Sequence, residues 1–504
     1  MKKPLSSYYS VSFLLPLLIA LILLFLYSMI GRMADADDAW IGEYAYWFAR
    51  DGYVHSELMR GITMQETNFV VHHKLFNFNG ALFIKTFGFS LHSLKAVNLM
   101  YFIIFMVLLG FYTLKWKKIF NKNDFLFALI ILFAFPWIFK FAYLYRPELM
   151  LMTLGFVGFM LLEKYLDTKE EKWGSLFLAG IFFGLSVVGH LNGLILAISG
   201  FLLLLVNRKF SAVFIYGSGV LIAGSIYFYD LTDAASITLW KHQFFESPSL
   251  DSLYEGPVWL KPIVNLLNEH MRYFHNFKII VFSVFLITSI ITGYKYLVKD
   301  HTRLLQFALL VAITTGFIAI HKSRQYFLLN FPYMLLLIVL TLKSIREGKI
   351  TTYKIGKPKQ IAVVFFLLFL VFLTTSTFFN VKLAVQKFSA SENRELAKKY
   401  AGGMEANMKI VAPMTFIFNE IEHFEQIQGE LCYTELQKLD STIYGKGFLK
   451  YANDFDRDLI IVTPRYQQML GISAYKKGDE FEHYYVLDKT KDLIVFKRKA
   501  INSY

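Results

Sequence analysis

Cysteine and charged residues are both scarce in this chain. It has one cysteine in 504 residues, Cys432, so a disulfide within the chain is excluded. Charged residues make up 18% of the sequence, whereas soluble domains average roughly 25%. Hydrophobic residues reach 56%, and the mean hydropathy is +0.44. This composition excludes an ordinary soluble domain and predicts a multi-pass membrane protein.

The sequence also has no internal repeat, no low-complexity tract and no spaced metal-ligand motif. Without an inverted repeat or a pair of broken helices, it lacks the usual marks of a transporter or flippase, and that class is kept only as an alternative. His72 and His73 could bind a metal together with an aspartate, but no H-x-x-x-H or similar spacing accompanies them. We therefore predict no specific metal site and leave a divalent metal cofactor open.

Apolar stretches of membrane-spanning length are abundant. A transmembrane helix needs about 20 apolar residues. Eleven stretches are candidates, of which 149–162 and 192–206 are short: 11–30, 94–114, 125–140, 149–162, 174–190, 192–206, 210–229, 277–294, 304–320, 326–342 and 361–380. Lys2 and Lys3 resemble the start of a signal peptide, but the apolar run behind them exceeds the roughly 7–15 residues typical of one. We interpret it as an uncleaved first span.

The formal net charge of +14 is better explained by membrane topology than by nucleic-acid binding. Lysine and arginine concentrate in alternate loops, including 115–122, 295–303 and 343–359. The positive-inside rule places these loops and the N-terminus in the cytoplasm. An odd number of spans then places everything after residue 381 outside. We expect a multi-pass protein of the plasma membrane (the inner membrane of a bacterium), in contact with the lipid bilayer and not with nucleic acid.

From about residue 390 the sequence changes character, and short β-rich runs alternate with polar helical ones. Strands are predicted at Lys409–Ala412, Leu459–Val462, Tyr484–Leu487 and Leu493–Lys497, and helices at Asn393–Tyr400, Phe416–Glu425 and Arg465–Leu470. We predict an all-α membrane unit of about eleven transmembrane helices at 1–385. A small extracytoplasmic α/β domain is predicted at 386–504.

Three carboxylates lie within four residues just after the first span, in the sequence Ala-Asp-Ala-Asp-Asp-Ala-Trp that ends at Trp40. Acidic groups at a bilayer boundary are costly and usually serve a site or stay in water. Aromatic residues then follow at helical spacing through Tyr44 to Gly52, which predicts a helix lying at the membrane interface. Asp37 and Asp38 are candidates for catalysis. Alternatively, one of them is only the N-cap of that helix.

The other polar candidates also lie beside span ends on the predicted outer side. They are His73, Lys74, Arg146, Glu148, His190, Lys322, Arg324 and Tyr326. Carboxylates can supply a base and cations can hold an anion, so this shared side predicts a polar cavity that opens there. Simpler roles remain open. Lys322 and Arg324 could anchor headgroups. The segment from Arg146 to Glu148 could be a helix start, and His190 could cap a turn.

Several segments resemble the GT-C membrane glycosyltransferases, which include the protein O-mannosyltransferases and the aminoarabinose transferases that act on lipid A. Asp37-Asp38-Ala39-Trp40 with Arg50-Asp51-Gly52-Tyr53 resembles the family's opening motif. Arg146-Pro147-Glu148 is similar to its R-x-D segment, with Glu in place of Asp. Gly189-His190-Leu191-Asn192-Gly193 occupies the position of a family turn, and Ser323-Arg324-Gln325-Tyr326 resembles a late x-R-Y motif. His73-Lys74-Leu75 lacks the two prolines of the family's segment. The resemblance runs in order over about 1–380.

The resemblance implies inverting transfer of a sugar from a polyprenyl-phosphate donor to an acceptor hydroxyl at the outer face. Asp37 would be the base, and Asp38 would orient the base or the acceptor. Lys74, Arg146 and Arg324 would stabilise the lipid phosphate. The remaining substrate-binding candidates are His73, Glu148, His190, Lys322 and Tyr326. Undecaprenyl phosphate is the favoured lipid, and the acceptor is a glycan, a lipid or a protein. The alternatives are a lipid or anion transporter and a non-catalytic membrane scaffold.

Overall fold

Helices make up most of the computed structural model, which describes residues 11–168, 172–248, 257–319, 323–349 and 358–499. Before the C-terminal region the helices are α1 (Val11–Met29), α2 (Ala36–Asp51), α3 (Lys74–Phe87), α4 (Leu91–Gly110), α5 (Lys122–Ala134), α6 (Pro136–Phe141), α7 (Glu148–Asp167), α8 (Trp173–Gly189), α9 (Leu194–Val206), α10 (Phe210–Gly224), α11 (Ala234–Phe245), α12 (Lys261–Leu267), α13 (His270–Phe274), α14 (Phe277–Asp300), α15 (Thr302–Ile318), α16 (Phe327–Arg346) and α17 (Pro358–Ala384).

Within the described residues, seven helices are long and apolar enough to cross a membrane. They lie at Val11–Met29, Leu91–Trp116, Glu148–Asp167, Phe210–Phe228, Phe277–Asp300, Arg324–Arg346 and Ala362–Ala384. Shorter apolar helices lie at Trp173–Gly189, Leu191–Val206 and Thr302–Ile318. The predicted span at 125–140 is divided at Phe135, because Pro136 begins α6 and disfavours a helical residue before it. Helices of this length and apolarity make the chain an integral membrane protein. The number of eleven transmembrane helices stays a prediction.

Helix α16 forms the centre of the bundle. The apolar window of this helix is 89% buried, and it packs against α7, α14 and α15. Phe331 of α16 stacks on Phe135, with ring centroids 4.8 Å apart, and Tyr333 packs edge-on against Phe307 of α15. Close packing of this kind leaves little freedom for the helices to shift. The loops at the helix ends are therefore held in a defined arrangement.

The chain returns after α17 to the end of α1, just before α2 begins. The backbone N–H of Phe388 donates to the carbonyl of Gly31 at 2.9 Å, and that of Met33 donates to Gln386 at 3.3 Å. The C-terminal region and the start of α2 therefore lie at the same end of the bundle. The assignment of this end to the outside of the cell stays a prediction.

The C-terminal region contains a five-stranded sheet flanked by helices. The strands are β1 (Lys409–Ala412), β2 (Gln426–Gly429), β3 (Leu459–Val462), β4 (Tyr484–Lys489) and β5 (Ile494–Arg498), in the order β2-β1-β3-β5-β4. The helices are α18 (Ala390–Ala401), α19 (Ile417–Glu420), α20 (Glu430–Leu439), α21 (Lys446–Asp454) and α22 (Pro464–Met469). Strand β1 is parallel to β2 and β3, whereas β5 is antiparallel to β3 and β4.

All four predicted strands are present, but of the predicted helix Phe416–Glu425 only α19, Ile417–Glu420, is present. A distorted turn ends at Glu420, since Asn419 adopts a left-handed conformation with φ of 75°. Strand β2 then begins at Gln426, where the sequence pattern indicated no strand. Its four residues pair in parallel with β1, so long-range pairing decides this segment. The predicted domain boundary at 385/386 stays a prediction.

Strand β2 lies against the loop that joins α2 to α3, residues 53–73. The backbone N–H of Gly429 donates to the carbonyl of Leu58 at 2.9 Å, and Gln428 Nε2 donates to the carbonyl of Arg60 at 2.9 Å. The same loop is tied to α2 by Glu43, which accepts hydrogen bonds from the N–H groups of Glu57 and Leu58. Burial raises the pKa of the Glu43 carboxyl to about 7. The loop therefore connects α2 to the C-terminal sheet.

Helices α2 and α3 pack closely at Gly80, and we expect Gly80→Ala to destabilise the protein. A Cβ there would lie 1.8 Å from Tyr145 Oη and 2.8 Å from Ala45 Cβ. Overpacking of this kind costs typically about 1–3 kcal/mol. Thermal unfolding of the detergent-solubilised protein measures the effect. Gly217→Ala is the control, because its Cβ would meet nothing within 4 Å. Equal melting temperatures for the two variants would contradict the expected clash.

Candidate active site

Helix α2 is capped by Asp35. The Asp35 carboxylate accepts from the Asp37 N–H at 3.3 Å, and the Asp38 carboxylate accepts from the Asp35 N–H at 2.8 Å. This reciprocal pair is a capping box. The alternative that Asp37 or Asp38 is the N-cap is therefore wrong, whereas the predicted stop at Gly52 is confirmed. The Asp37 side chain is left free of capping.

Asp38 is fully buried and ties three segments together. Its Oδ1 accepts from the Tyr145 N–H at 2.6 Å, and its Oδ2 lies 3.2 Å from Lys95 Nζ. Lys95 also donates to the carbonyl of Met33 at 2.8 Å. Burial raises the pKa of the Asp38 carboxyl, against the effect of Lys95. The predicted catalytic use of Asp38 by direct contact does not fit this geometry, because the side chain has no free surface. The geometry suits positioning of its neighbours.

Arg146 lies between two carboxylates. Its Nη1 donates to Asp37 Oδ2, its Nη2 lies 2.9 Å from Glu148 Oε1, and its Nε lies 3.2 Å from each Glu148 oxygen. Glu148 is fully buried at the first residue of α7, directly after Pro147, so the predicted helix start is also present. Burial alone would lower the pKa of Arg146, but Glu148 and Asp37 raise it above its usual value. The guanidinium stays charged.

The Asp37 carboxylate is the more accessible of the two partners of Arg146. Its side chain is 28% exposed, compared with 0% for Glu148. Burial in the site raises the pKa of Asp37, and Arg146 opposes that rise. A carboxylate with a raised pKa is a stronger base than an ordinary aspartate, provided that it is ionised.

Two histidines are held beside Arg146 in neutral form. The rings of His73 and His190 stack with centroids 4.3 Å apart. Burial lowers the pKa of His190 to about 3 and that of His73 well below its usual value. His190 Nδ1 accepts from the Asn192 N–H at 3.0 Å, so the ring proton is on Nε2, which lies 3.1 Å from Tyr326 Oη. His190 therefore both caps its turn, as the sequence alternative suggested, and orients Tyr326.

These groups face one cavity of about 420 Å³. Its lining includes Asp37, Trp40, Ile41, Tyr44, Met59, Ile62, Gln65, Phe69, Val71, His72, His73, Arg146, His190, Leu191, Tyr227, Gln243, Phe244, Ser247, Pro248, Ser323, Tyr326 and Glu435. The predicted residues Asp37, His73, Arg146, His190 and Tyr326 are thus brought together. Sequence reasoning missed Gln65, Tyr227 and Glu435. Of these, Gln65 lies in the long loop between α2 and α3, and loops of this length are commonly functional.

Three predicted substrate-binding cations are not found among the described residues that line the cavity. Lys74 is 4% exposed and pairs with Asp230, and its Nζ also lies 4.9 Å from the ring centroid of Tyr229. Arg324 is exposed and does not line the cavity, unlike its neighbour Tyr326. Lys322 lies outside the described residues. Of the lysine and arginine side chains in the part of the chain that the structure describes, only Arg146 therefore lines this cavity.

The described residues form no metal site in advance of metal binding. No three His, Cys, Asp or Glu side chains in that part of the chain come together as a ligand group. Asp37 and Glu148 both engage Arg146, so a divalent ion at either carboxylate would compete with the guanidinium. The described residues do not fit a site built in advance for such an ion.

Comparison with known proteins gives a match in structure and none in sequence. No family model matches the chain, and no curated protein sequence matches it. The structure of ArnT from Cupriavidus metallidurans bound to undecaprenyl phosphate aligns with a TM-score of 0.61 at 12% identity, over 97% of this chain and 99% of ArnT. This chain has the fold of the GT-C glycosyltransferases.

Two further GT-C structures show the same fold. The Archaeoglobus fulgidus oligosaccharyltransferase AglB, in complex with an inhibitory peptide and a dolichol-phosphate, aligns with a TM-score of 0.53 at 10% identity, over 97% of this chain and 75% of AglB. The mycobacterial arabinofuranosyltransferase AftD aligns with a TM-score of 0.51 at 11% identity, over 98% of this chain and 40% of AftD. The GT-C resemblance noted in the short motifs is therefore confirmed at the level of the fold.

Proposed function

We propose that this chain transfers a sugar from a polyprenyl-phosphate donor to an acceptor hydroxyl, with inversion at the anomeric carbon. The observation that carries the proposal is the shared cavity of Asp37 and Arg146, in which a carboxylate faces a half-buried, permanently charged guanidinium. Support also comes from the fold, since GT-C structures include ArnT with undecaprenyl phosphate and AglB with dolichol-phosphate. Both ligands are polyprenyl phosphates.

In the proposed reaction Asp37 removes the proton from the acceptor hydroxyl. The acceptor oxygen then forms a bond to the anomeric carbon of the sugar, on the face opposite the phosphate. The bond between that carbon and the phosphate oxygen breaks, and polyprenyl phosphate leaves with the bonding electrons. Arg146 stabilises the charge that develops on the leaving phosphate. Tyr326, oriented by His190, is placed to donate a hydrogen bond to the same group.

The two partners of Arg146 explain how one residue serves both the base and the phosphate. Glu148 is fully buried and holds the guanidinium through Nε and Nη2, whereas Asp37 is bound through Nη1. A phosphate that takes the Nη1 position would displace Asp37 and leave the clamp to Glu148 intact. Asp37 would then be free to accept a proton. Donor binding would in this way prepare the base.

The side of the membrane on which the site lies is inferred from the predicted topology. Positive-inside loops predict that the Asp37 end of the bundle faces outwards, and the C-terminal region lies at that same end. We therefore propose an extracytoplasmic reaction, with the N-terminus in the cytoplasm and undecaprenyl phosphate as the favoured lipid. Asp38 and Lys95 keep a positioning role in this scheme, because their buried pair fixes the segment before Arg146.

The donor-site prediction is tested by ligand stabilisation. Undecaprenyl phosphate should raise the melting temperature of the protein in detergent, whereas undecaprenol, which lacks the phosphate, should raise it much less. A ligand at 100 times its Kd stabilises the native state by about 2.7 kcal/mol. Equal stabilisation by the two lipids would contradict a phosphate site. No stabilisation by the phosphate in a folded sample would favour a transporter or scaffold instead.

A further inference from the structure

The C-terminal region supplies one charged side chain to the cavity. Glu435, on α20, lines the same space as Asp37, and its side chain is 17% exposed. Glu435 lies 2.6 Å from Lys438. This carboxylate is far from the first span in sequence and plays no part in the reaction described above.

Glu435 is held in place by the packing of β2 on the loop 53–73. Besides Gly429 and Gln428, Cys432 contacts this loop, since its Sγ lies 3.2 Å from the Arg60 carbonyl. Cys432 is fully buried and lies one turn before Glu435 on α20. The start of α20 therefore cannot move away from the loop without breaking several hydrogen bonds. Glu435 is a fixed part of the cavity wall.

Aromatic rings and an amide line the same cavity. Trp40 and Phe69 are half-buried, and each ring packs against Tyr44, with centroid distances of 6.3 and 4.9 Å. Gln65 Oε1 accepts a hydrogen bond from Tyr44 Oη at 3.1 Å. Among the described contacts its Nε2 group has no protein partner, so this donor is available to a ligand. Flat rings together with a carboxylate and an amide suit a molecule with apolar faces and many hydroxyls.

The charges of the cavity argue against an acidic acceptor. Among the described lining residues, Arg146 is the only lysine or arginine, and in the proposed function it binds the donor phosphate. His73 and His190 are neutral, because burial lowers the pKa of each. A phosphorylated or carboxylated acceptor would therefore meet the Glu435 carboxylate with no lining cation left to bind it, since Lys438, the partner of Glu435, lies outside the lining. An uncharged acceptor meets no such penalty.

A peptide acceptor is also poorly served by this wall. Extended peptides often bind by adding a strand to a free sheet edge. The sheet edge that lies against the loop 53–73 is β2, and its Gly429 N–H is already bonded to Leu58. Side chains of Gln426 and Gln428 reach the same loop at Glu57 and Arg60. The backbone groups that a peptide would use are therefore partly taken by the protein itself.

We propose that the acceptor is an uncharged glycan, bound with one sugar face against Trp40 and with its hydroxyls hydrogen-bonded to Glu435 and Gln65. Glu435 is then a residue that determines acceptor specificity. The proposal rests on the proposed sugar transfer, because it names the acceptor for the same cavity. Neither Glu435 nor Gln65 exchanges a proton with the reacting oxygen. Their role is to hold the glycan with a hydroxyl near Asp37.

Binding measurements on the full-length protein in nanodiscs, saturated with undecaprenyl phosphate, test this proposal. The probes are a panel of uncharged tri- and tetrasaccharides, the same glycans carrying one phosphate, and hexapeptides containing serine and threonine. At least one uncharged glycan should raise the melting temperature and bind more tightly than its phosphorylated form. Glu435→Ala should weaken that glycan about 10-fold or more, since a hydrogen bond to a charged group is lost. Glu435→Gln should recover part of the affinity.

Glu425→Ala is the matched control, because Glu425 is also ion-paired, with Lys409 at 3.4 Å, and lies outside the cavity lining. The Glu425→Ala variant should leave glycan binding unchanged. The Trp40→Leu variant should weaken glycan binding, because it removes the ring proposed to face the sugar. Stronger binding of the phosphorylated glycans or the peptides would overturn the proposal, as would an unaltered Kd in Glu435→Ala. Absence of glycan binding in protein that still responds to undecaprenyl phosphate would overturn it too. Loss of the undecaprenyl phosphate response itself would instead count against the proposed transfer.

Discussion

Replacement of Asp37 by Asn is expected to lower the rate of sugar transfer by about 10²–10⁴-fold, the usual contribution of a general base. The amide keeps the shape of the side chain and can still accept a hydrogen bond from Arg146, but it cannot take a proton. The variant should fold, and it should still be stabilised by undecaprenyl phosphate, because Glu148 continues to hold the guanidinium. The measurement is transfer from a polyprenyl-phosphate sugar under single-turnover conditions.

Asp35→Asn is the control for this experiment. Asp35 is two residues away, its side chain is 32% exposed, and it pairs with Lys140 at 2.8 Å. Asparagine is as good an N-cap as aspartate, so helix α2 should be kept. We expect near-normal transfer from this variant. Full activity of Asp37→Asn in folded protein, or an equal loss in Asp35→Asn, would exclude the proposed role of Asp37.

The pH dependence of the transfer rate should also reveal the role of Asp37 as the base. Burial raises the pKa of Asp37 above its usual value, which is near 3.9 for an exposed aspartate. The base must be ionised, so the rate should fall as the pH drops through this raised pKa. Asp37→Asn should abolish that acidic limb, whereas Asp35→Asn should retain it.

Features that depend on neighbouring residues could be predicted from the sequence. Apolar length located the helices, and the β-rich runs located four strands. The carboxylate cluster after the first span marked the start of α2, although the cap proved to be Asp35. The break at Pro136 is equally local, but it was missed, because 125–140 was predicted as one span. Each of these features is decided within one turn of helix or a few residues of strand.

Pairings across the chain could not be predicted in the same way. Lys74 and Arg146 both looked suited to a phosphate, but Lys74 has Asp230 as a partner 156 residues away. Nothing near Lys74 in sequence indicates that pairing. Glu435 reaches the cavity only because β2 packs on the loop 53–73, and β2 itself depends on pairing with β1. Glu435 was thus missed together with the strand, and Gln65 lies in the long loop between α2 and α3.

Removal of the Arg146 side chain is expected to affect both stability and catalysis. Arg146→Ala leaves Glu148 fully buried without its partner, and breaking a buried ion pair costs about 3–5 kcal/mol. It also removes the cation proposed for the leaving phosphate, for which a loss of about 10²–10³-fold in rate is expected by analogy with a lost oxyanion donor. The melting temperature and the single-turnover transfer rate measure the two effects.

The two effects can be separated by removing both charges together. Replacing a buried ion pair by uncharged side chains of similar size is often neutral for stability. The double variant Arg146→Met with Glu148→Gln should therefore melt well above Arg146→Ala, yet it should transfer as slowly and lose the stabilisation by undecaprenyl phosphate. If the double variant regained transfer along with its stability, Arg146 would be a structural residue only. Continued inactivity together with loss of the stabilisation by undecaprenyl phosphate, in a stable protein, would instead assign Arg146 to the phosphate.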